Sequence, residues 1–355
     1  MAERIVIKCG SQLVIDPERK DGVLRLAFVQ ALFDTCQQLK TQGHEVILVL
    51  SGAVAAGKKV KTVQTKQARA SIGQLMMTRE LDQFARKIDL SLLLLTKFDI
   101  TERDRHTTLV KTIEELLNTK FIPVLNENDA TTAEGTNDFP DNDHLAAIIA
   151  ITTQADRVLL CTDVEGVFSA HPATTGAQLF EEIENVNLEL LKMTQGGKSQ
   201  LGRGGMTGKL KAARLATSAG IQTHIMSGAV VQSIPQLIQG TAKFGTVCKA
   251  RTQQATSLGI RDRWLMSAKI SDGSIVLDAG AAAAVKKRKS LLAVGVKTIY
   301  GQFAPGDSVE ILDAQKETIA IGLANLSSEE LQTALRSGEK PFDTDVVHAN
   351  NLILL

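Results

Sequence analysis

Two segments of this 355-residue chain have opposite electrostatic characters. Asn126-Glu127-Asn128-Asp129 and Asp141-Asn142-Asp143 present carboxylates and amides, a set suited to an ammonium group or a magnesium ion. Gly202-Arg203-Gly204-Gly205-Met206-Thr207-Gly208-Lys209 is a cationic glycine loop whose backbone N–H groups can wrap phosphates before it ends on a lysine. Together they point to ATP-dependent chemistry on a substrate that carries a positive charge.

Moving a phosphoryl group requires cations, backbone donors and usually a divalent metal, because charge on the migrating group must be neutralised. Lys8 ends an apolar run just before Gly10, and Lys209 opens a helical pattern whose amino-terminal dipole also favours anions. Two unit charges about 4 Å apart at an effective dielectric near 20 interact by roughly 4 kcal/mol, so either lysine has enough leverage for catalysis.

Carboxylates repel bare phosphate, so the acids must serve something cationic. Asp129, Asp141 and Asp143 suit an α-ammonium group, one of them also suits magnesium directly or through water, and Asn126 and Asn142 add amide donors for a carboxylate on the same molecule. The plainer reading makes Asp141 or a neighbour the cap of a helix running through Leu145 to Ile151. Ser51-Gly52-Ala53 offers N–H groups at a helix start, for a substrate carboxylate or merely as a cap. Thr162-Asp163 follows a strand, where it contacts nucleotide or caps the turn into Glu165-Gly166.

One lookalike competes. Gly52 to Lys59 nearly satisfies the P-loop pattern, but Lys59 stands where a magnesium-binding hydroxyl is required. The histidines form no metal-like set, and His144 beside the acids reads as a hydrogen-bonded structural residue. Cys9, Cys36, Cys161 and Cys248 show neither a CxxC pair nor zinc-ligand spacing, which fits reduced thiols in a cytoplasmic protein.

The elements that must position these residues follow from hydrophobic pattern. Short apolar runs at Ile5 to Ile7, Val46 to Leu50, Leu92 to Leu95, Phe121 to Leu125, Val158 to Cys161 and Thr223 to Met226 read as strands. Helical patterns at 22–42, 66–88, 106–119, 143–154 and 205–219 lie among them. Such alternation predicts an α/β fold, an open and mostly parallel sheet sandwiched by helices. Most of the polar motifs follow a predicted strand, where ligands of open α/β sheets gather.

Hydrophobic residues make up 44% of the chain and charged residues 22%, with a net charge of +1, so neither disorder nor a general nucleic-acid coat is expected. No run of apolar residues is long enough to predict a membrane span. After residue 255 the texture changes to short strand-like pieces, Ser274 to Leu277, Lys297 to Tyr300 and Ser308 to Leu312, with one helical pattern at Glu329 to Leu335. This predicts a first domain at 1–255, a linker at 256–269 and a small, mostly β domain at 270–355. Lys286-Lys287-Arg288-Lys289 reads as a solvated helix face or an RNA-contact patch, and the sequence offers little aromatic surface beside it for base stacking.

Taken in order, Lys8-Cys9-Gly10-Ser11, Ser51 to Gly57, Gly73-Gln74, Asn126 to Asp129, Asp141 to Asp143, Leu160 to Asp163 and Gly204 to Lys209 resemble the glutamate 5-kinase branch of the amino-acid kinase family. The tail, with Val276 to Ala281, Lys289 to Leu292 and Gly295-Val296, looks like a PUA domain. The resemblance implies ATP-dependent phosphorylation of the side-chain carboxylate of L-glutamate, the first step of proline biosynthesis, with Mg2+, proline feedback inhibition and a homo-oligomer. By motif position, Lys8 and Lys209 would stabilise the transferring charge and Asp143 would orient the lysines or the metal. Ser51, Asp129 and Asn142 would hold glutamate, with Asn126 and Asp141 beside them. Thr162, Asp163, Arg203, Gly204, Gly205, Met206, Thr207, Gly208 and Lys209 would receive ATP together with Lys8. Arg203 stands where the family often has threonine, and Pro140 where glycine usually precedes Asp-Asn-Asp. Related carboxylate kinases acting on aspartate or acetylglutamate, and an RNA-binding accessory role for the tail, are the alternative readings.

Overall fold

Runs such as Val46-Ile47-Leu48-Val49-Leu50 are buried on both faces, the pattern of a central strand covered on both sides by helices. The computed structural model of the chain describes residues 1–84, 88–132, 139–193, 205–250, 262–263, 265–266, 270–337 and 345–354. They divide into two compact units: Met1–Asp99, Asp104–Thr217 and Ile221–Ala250 form one, and Ile100–Arg103, Ser218–Gly220 and Arg251–Leu355 the other. Most of the connecting segment expected at 256–269 lies outside the described residues.

In the first unit the elements run β1 (Arg4–Cys9), α1 (Ser11–Val14), α2 (Leu26–Thr41), β2 (Glu45–Leu50), α3 (Ala53–Gly57), α4 (Lys66–Phe84) and β3 (Leu90–Leu95). There follow α5 (Lys97–Thr101), α6 (Arg103–Asn118), β4 (Ile122–Glu127), α7 (Asn142–Thr152), β5 (Arg157–Thr162), β6 (Glu182–Ile183), α8 (Leu188–Met193), α9 (Met206–Ser218), β7 (Gln222–Ser227), α10 (Ile234–Ile238) and β8 (Thr246–Cys248). The eight-stranded sheet has the order β3-β4-β2-β1-β5-β7-β8-β6. From β3 through β7 neighbours are parallel, and β8 joins β7 antiparallel. This is the mostly parallel α/β sheet that the alternation predicted.

The chain builds outward from β1 in both directions, towards β2 and towards β5, so a crevice opens beyond the carboxyl ends of these central strands. Helix α7 lies against β1, β2, β4 and β5. Its residues Asp143 to Thr152 are all buried, which is why its sequence is apolar all round rather than on one stripe. Helix α2 shows the ordinary case, burying Phe28, Val29, Leu32, Phe33, Cys36 and Leu39 at helical spacing. It starts four residues later than the pattern from 22 suggests. Val23 and Leu24 are buried as helix-face residues would be, but their N–H groups donate to the Glu80 carboxylate from a loop.

Helices α3 and α4 touch backbone to backbone. A Cβ on Gly73 would lie 1.8 Å from the Ala53 carbonyl oxygen, and one on Gly57 1.9 Å from that of Arg69. No other residue permits this approach. The same segment disposes of the P-loop lookalike, because Ala53 to Gly57 is a helix rather than a phosphate-wrapping loop.

The second unit holds a five-stranded sheet in the order β11 (Val296–Tyr300), β9 (Ile270–Leu277), β12 (Ser308–Leu312), β13 (Thr318–Leu323) and β15 (Leu352–Leu354). A two-stranded pair, β10 (Leu291–Leu292) and β14 (Asp345–Val347), accompanies it. Ile275, Leu277, Val285, Val309, Ile311, Leu331 and Val347 share its core. A helix that the hydrophobic pattern did not predict, Ala279–Lys286, is capped by the Asp278 carboxylate accepting from the Ala281 N–H. Lys286, Lys287, Arg288 and Lys289 are exposed at its carboxyl end, where cations complement the dipole.

Candidate active site

The central strand ends at the crevice deliver polar side chains. Lys8 comes from β1, Ser51 from just after β2, Asn126 and Glu127 from the end of β4, and Thr162 from the end of β5. Together with Asp129, Asp141, Asn142, Asp163, Gly205, Met206 and Lys209 they line a cleft of about 1020 Å³. A space of that size has room for a nucleotide and a small second substrate.

Behind the cleft wall, Asp143 is fully buried in the first turn of α7. Its Oδ1 lies 2.7 Å from the Lys8 ammonium and its Oδ2 3.0 Å from that of Lys209. The two lysines are far apart in the chain, one at the end of β1 and the other in the first turn of α9, yet they converge on one carboxylate. Burial by itself lowers the Lys8 pKa, but the charge and hydrogen bond of Asp143, helped by the charge of Asp141, outweigh it and hold the group above the ordinary lysine value. Lys8 is therefore an ammonium at neutral pH. Within this trio two positive charges share one negative charge.

Asp143 suits the role of holding the lysines better than that of a metal ligand. Both its oxygens already face ammonium groups, leaving none for a divalent cation, which the same ammonium groups would repel. Among the described residues no group of three or more His, Cys, Asp and Glu side chains could hold a metal ion.

Asp141 caps α7. Its Oδ1 accepts from the His144 N–H at 2.9 Å and lies 3.1 Å from the His144 ring Nδ1. Burial opposes its ionisation, but the hydrogen bonds and charge of His144, followed by the charge of Lys8, outweigh burial and hold the carboxyl well below the usual carboxylate range. A Cβ on Gly208 would lie 2.4 Å from Asp141 Oδ2, so any larger residue there would have to displace the Asp141 carboxylate. Thr207 and Gly208 thus sit in the first turn of α9, while Arg203 and Gly204 lie outside the described residues.

A directed chain of amides occupies the side of the cleft nearest α4. The Glu127 N–H can only donate, and it donates to Asn126 Oδ1 at 2.9 Å, which fixes that amide. Asn126 Nδ2 then donates to Gln74 Oε1 at 2.9 Å. Asn142 Nδ2 donates to Asn126 Oδ1 at 2.9 Å and to Ser51 Oγ at 2.8 Å. What remains is Asn142 Oδ1, buried and without a protein partner. Sequence reading took the asparagines as donors for a carboxylate. The structure uses the Asn142 donors internally and leaves an acceptor, the group that an ammonium requires.

Asp129 carries a second surprise, for its Oδ1 lies 2.6 Å from the ammonium of Lys66, the first residue of α4. Sequence reading gave Lys66 no role, and Gln74 appeared only as part of a motif. Their spacing was the available signal, since residues 66 and 74 fall on one face of a helix, as does Gly73. At the end of β5, Thr162 Oγ1 donates to Asp163 Oδ1 at 3.0 Å, and Asp163 is exposed.

Residues 3–227 match the amino acid kinase family and residues 273–340 the PUA domain. Over the whole length of both proteins, the chain is 37% identical to a glutamate 5-kinase of Trichormus variabilis. It is 35% identical to glutamate 5-kinase 2 of Pseudoalteromonas translucida, covering 99% of this chain and 98% of the relative. In fold it resembles the carbamate kinase of Giardia lamblia bound to AMP-PNP, at a TM-score of 0.51 and 16% identity over 70% of this chain and 98% of the other.

Proposed function

The chain belongs to the amino acid kinase family, and from that premise we propose that it transfers the γ-phosphoryl group of ATP to the side-chain carboxylate of L-glutamate. The product is L-glutamyl 5-phosphate, and the step opens proline biosynthesis. The observation that carries the mechanism is Asp143 held between the ammonium groups of Lys8 and Lys209.

The acceptor is already an ionised carboxylate, so no base has to remove a proton. One of its oxygens bonds to the γ-phosphorus, the bond from that phosphorus to the bridging oxygen breaks, and ADP leaves with the electron pair. What the chain supplies is alignment and charge. Asp143 keeps two cations close together in spite of their repulsion, and their excess positive charge meets the migrating phosphoryl group and the leaving oxygen. Gly205 to Lys209, at the start of α9, adds N–H groups and a helix dipole to the nucleotide side, with Thr162 and Asp163 across the cleft. Asp129 and Asn142 Oδ1 supply acceptors for the α-ammonium group of glutamate, near Ser51 and Asn126.

Mg2+ enters this reading as the companion of the ATP phosphates, with no carboxylate oxygen of Asp143 to bind it. A cytoplasmic homo-oligomer inhibited by proline completes the proposal, with 1–255 as the kinase domain and 270–355 as the PUA-like domain.

Incubating the protein with ATP, Mg2+ and hydroxylamine tests the reading, using L-glutamate, L-aspartate or N-acetyl-L-glutamate as acceptor. A hydroxamate formed with glutamate well above the other two is expected. Equal or greater product from aspartate or the N-acetylated compound would overturn the substrate assignment.

A further inference from the structure

Lys66 opens α4 and reaches the cleft, where its ammonium lies 2.6 Å from Asp129 Oδ1. The pair is partly shielded, with side-chain exposures of 24% for the lysine and 14% for the aspartate. The other lysines lining the cleft are placed differently. Lys8 and Lys209 meet Asp143, and Lys58 is exposed.

A neighbouring cation changes what Asp129 can accept. A ligand bearing only an ammonium group would displace Lys66 and strand its charge in a partly dehydrated wall, which is unfavourable. An α-amino acid carries its ammonium and carboxylate on one carbon, a separation that matches two side chains in salt-bridge contact. It can slip into the pair with its ammonium on Asp129 and its carboxylate on Lys66. Every charge then keeps an opposite neighbour, and the net charge of the wall is unchanged. Asn142 lines the same cleft, and its Oδ1, buried and without a protein partner, is an acceptor that the ammonium would satisfy.

We propose that Lys66 binds the α-carboxylate of the substrate, so that the Lys66–Asp129 pair selects free α-amino-acid zwitterions over N-acylated or α-amidated analogues. This rests on the glutamate kinase reading above and adds a residue to its specificity. The close contact of α3 with α4 at Gly73 supports it, because the helix that presents Lys66 packs backbone to backbone against the helix that follows Ser51.

The test uses L-glutamate and its α-carboxamide, which keeps the ammonium and the side-chain carboxylate but lacks the charge that Lys66 would meet. ADP release with ATP and Mg2+ gives kcat and KM for the native protein, Lys66→Met and Lys66→Arg, and calorimetry gives Kd for both compounds in parallel. The native protein is expected to prefer glutamate by about a hundredfold, and Lys66→Met to lose at least about tenfold of that preference, mainly through KM. Lys66→Arg should keep most of it. An unchanged preference in Lys66→Met overturns the proposal, as does a native protein that takes both compounds equally. If Lys66→Met turns over too slowly to measure, the ratio of Kd values decides by the same criteria. A native protein inactive on glutamate overturns the parent reading; one that is active while Lys66→Met keeps its preference overturns only the role of Lys66.

Discussion

At the amino ends of β1 and β5, Arg4 meets Glu45 at 2.7 Å and Glu114 at 2.5 Å, and Arg157 meets Glu3 at 2.5 Å. At the carboxyl end of β1, Lys8 shares the single carboxylate of Asp143 with Lys209. The Arg4 N–H also donates to Asp156 at 2.7 Å, so carboxylates at least match cations at the first end. At the other end cations exceed carboxylates within the trio, and a buried amide oxygen has no protein partner. Groups that satisfy one another fasten the ends of strands together. Groups left in excess are where the proposed function places its ligands, a phosphoryl group at the lysines and an ammonium at Asn142.

The comparison breaks most visibly at the lysines. Lys8→Ala or Lys209→Ala should lower kcat by about a thousandfold or more, as expected when a preorganised charge is removed from a transition state. A loss below about tenfold in either would remove that lysine from the chemistry. Next in size, Asp129→Asn should raise KM for glutamate by roughly thirtyfold with kcat changed only a few-fold, the mark of lost ground-state binding. Steady-state kinetics at saturating ATP would show it, and a fall in kcat without a change in KM would contradict it.

At the amino end the signature should be the reverse. Arg4→Met should lower unfolding free energy by about 2 kcal/mol, a value discounted for the partial exposure of its carboxylate partners, with kcat/KM within about twofold of native. Denaturant unfolding followed by kinetics on the folded variant measures both. A variant as stable as native but catalytically impaired would erase the distinction between the two ends.

The smallest effect belongs to His224 at the start of β7. Burial first, and then the charge of Arg157, lower its pKa to about 4, against a weaker opposing effect of Glu3. A depressed histidine pKa means that the unfolded chain binds the proton more readily. The stability it contributes is complete above the ordinary value of about 6.5 and is lost as pH falls towards about 4. From about pH 7 to about pH 5.5 the native protein should lose about 1 kcal/mol that His224→Asn does not lose, with little change in kcat. Parallel slopes for the two proteins would contradict this.

Much of the cleft-lining end of the sheet was legible because its signals are local. An apolar run followed by Lys8, Ser51, Asn126 or Thr162 marks a strand and the end that opens on the cleft in one reading. The mostly parallel sheet followed from the same runs. Contacts between distant segments were harder to see. Nothing near Lys66 announces its partner Asp129, and the polarity of Asn142 depends on a backbone N–H at Glu127 that fixes Asn126 first. The two-residue strand β6 and the antiparallel β8 are too short for periodicity to register. The helix at Ala279–Lys286 shows no apolar stripe in its run of alanines, so periodicity does not mark it, although Asp278 supplies a cap.

A double-mutant cycle on kcat tests most directly whether Lys8 and Lys209 serve one migrating group. With Lys8→Ala, Lys209→Ala and the double variant measured under saturating ATP and glutamate, the double variant should be only slightly slower than the worse single variant, because the shared arrangement is already lost. Losses that multiply independently, or near-native turnover in either single variant, would contradict the claim that the two ammonium groups act as a unit across Asp143.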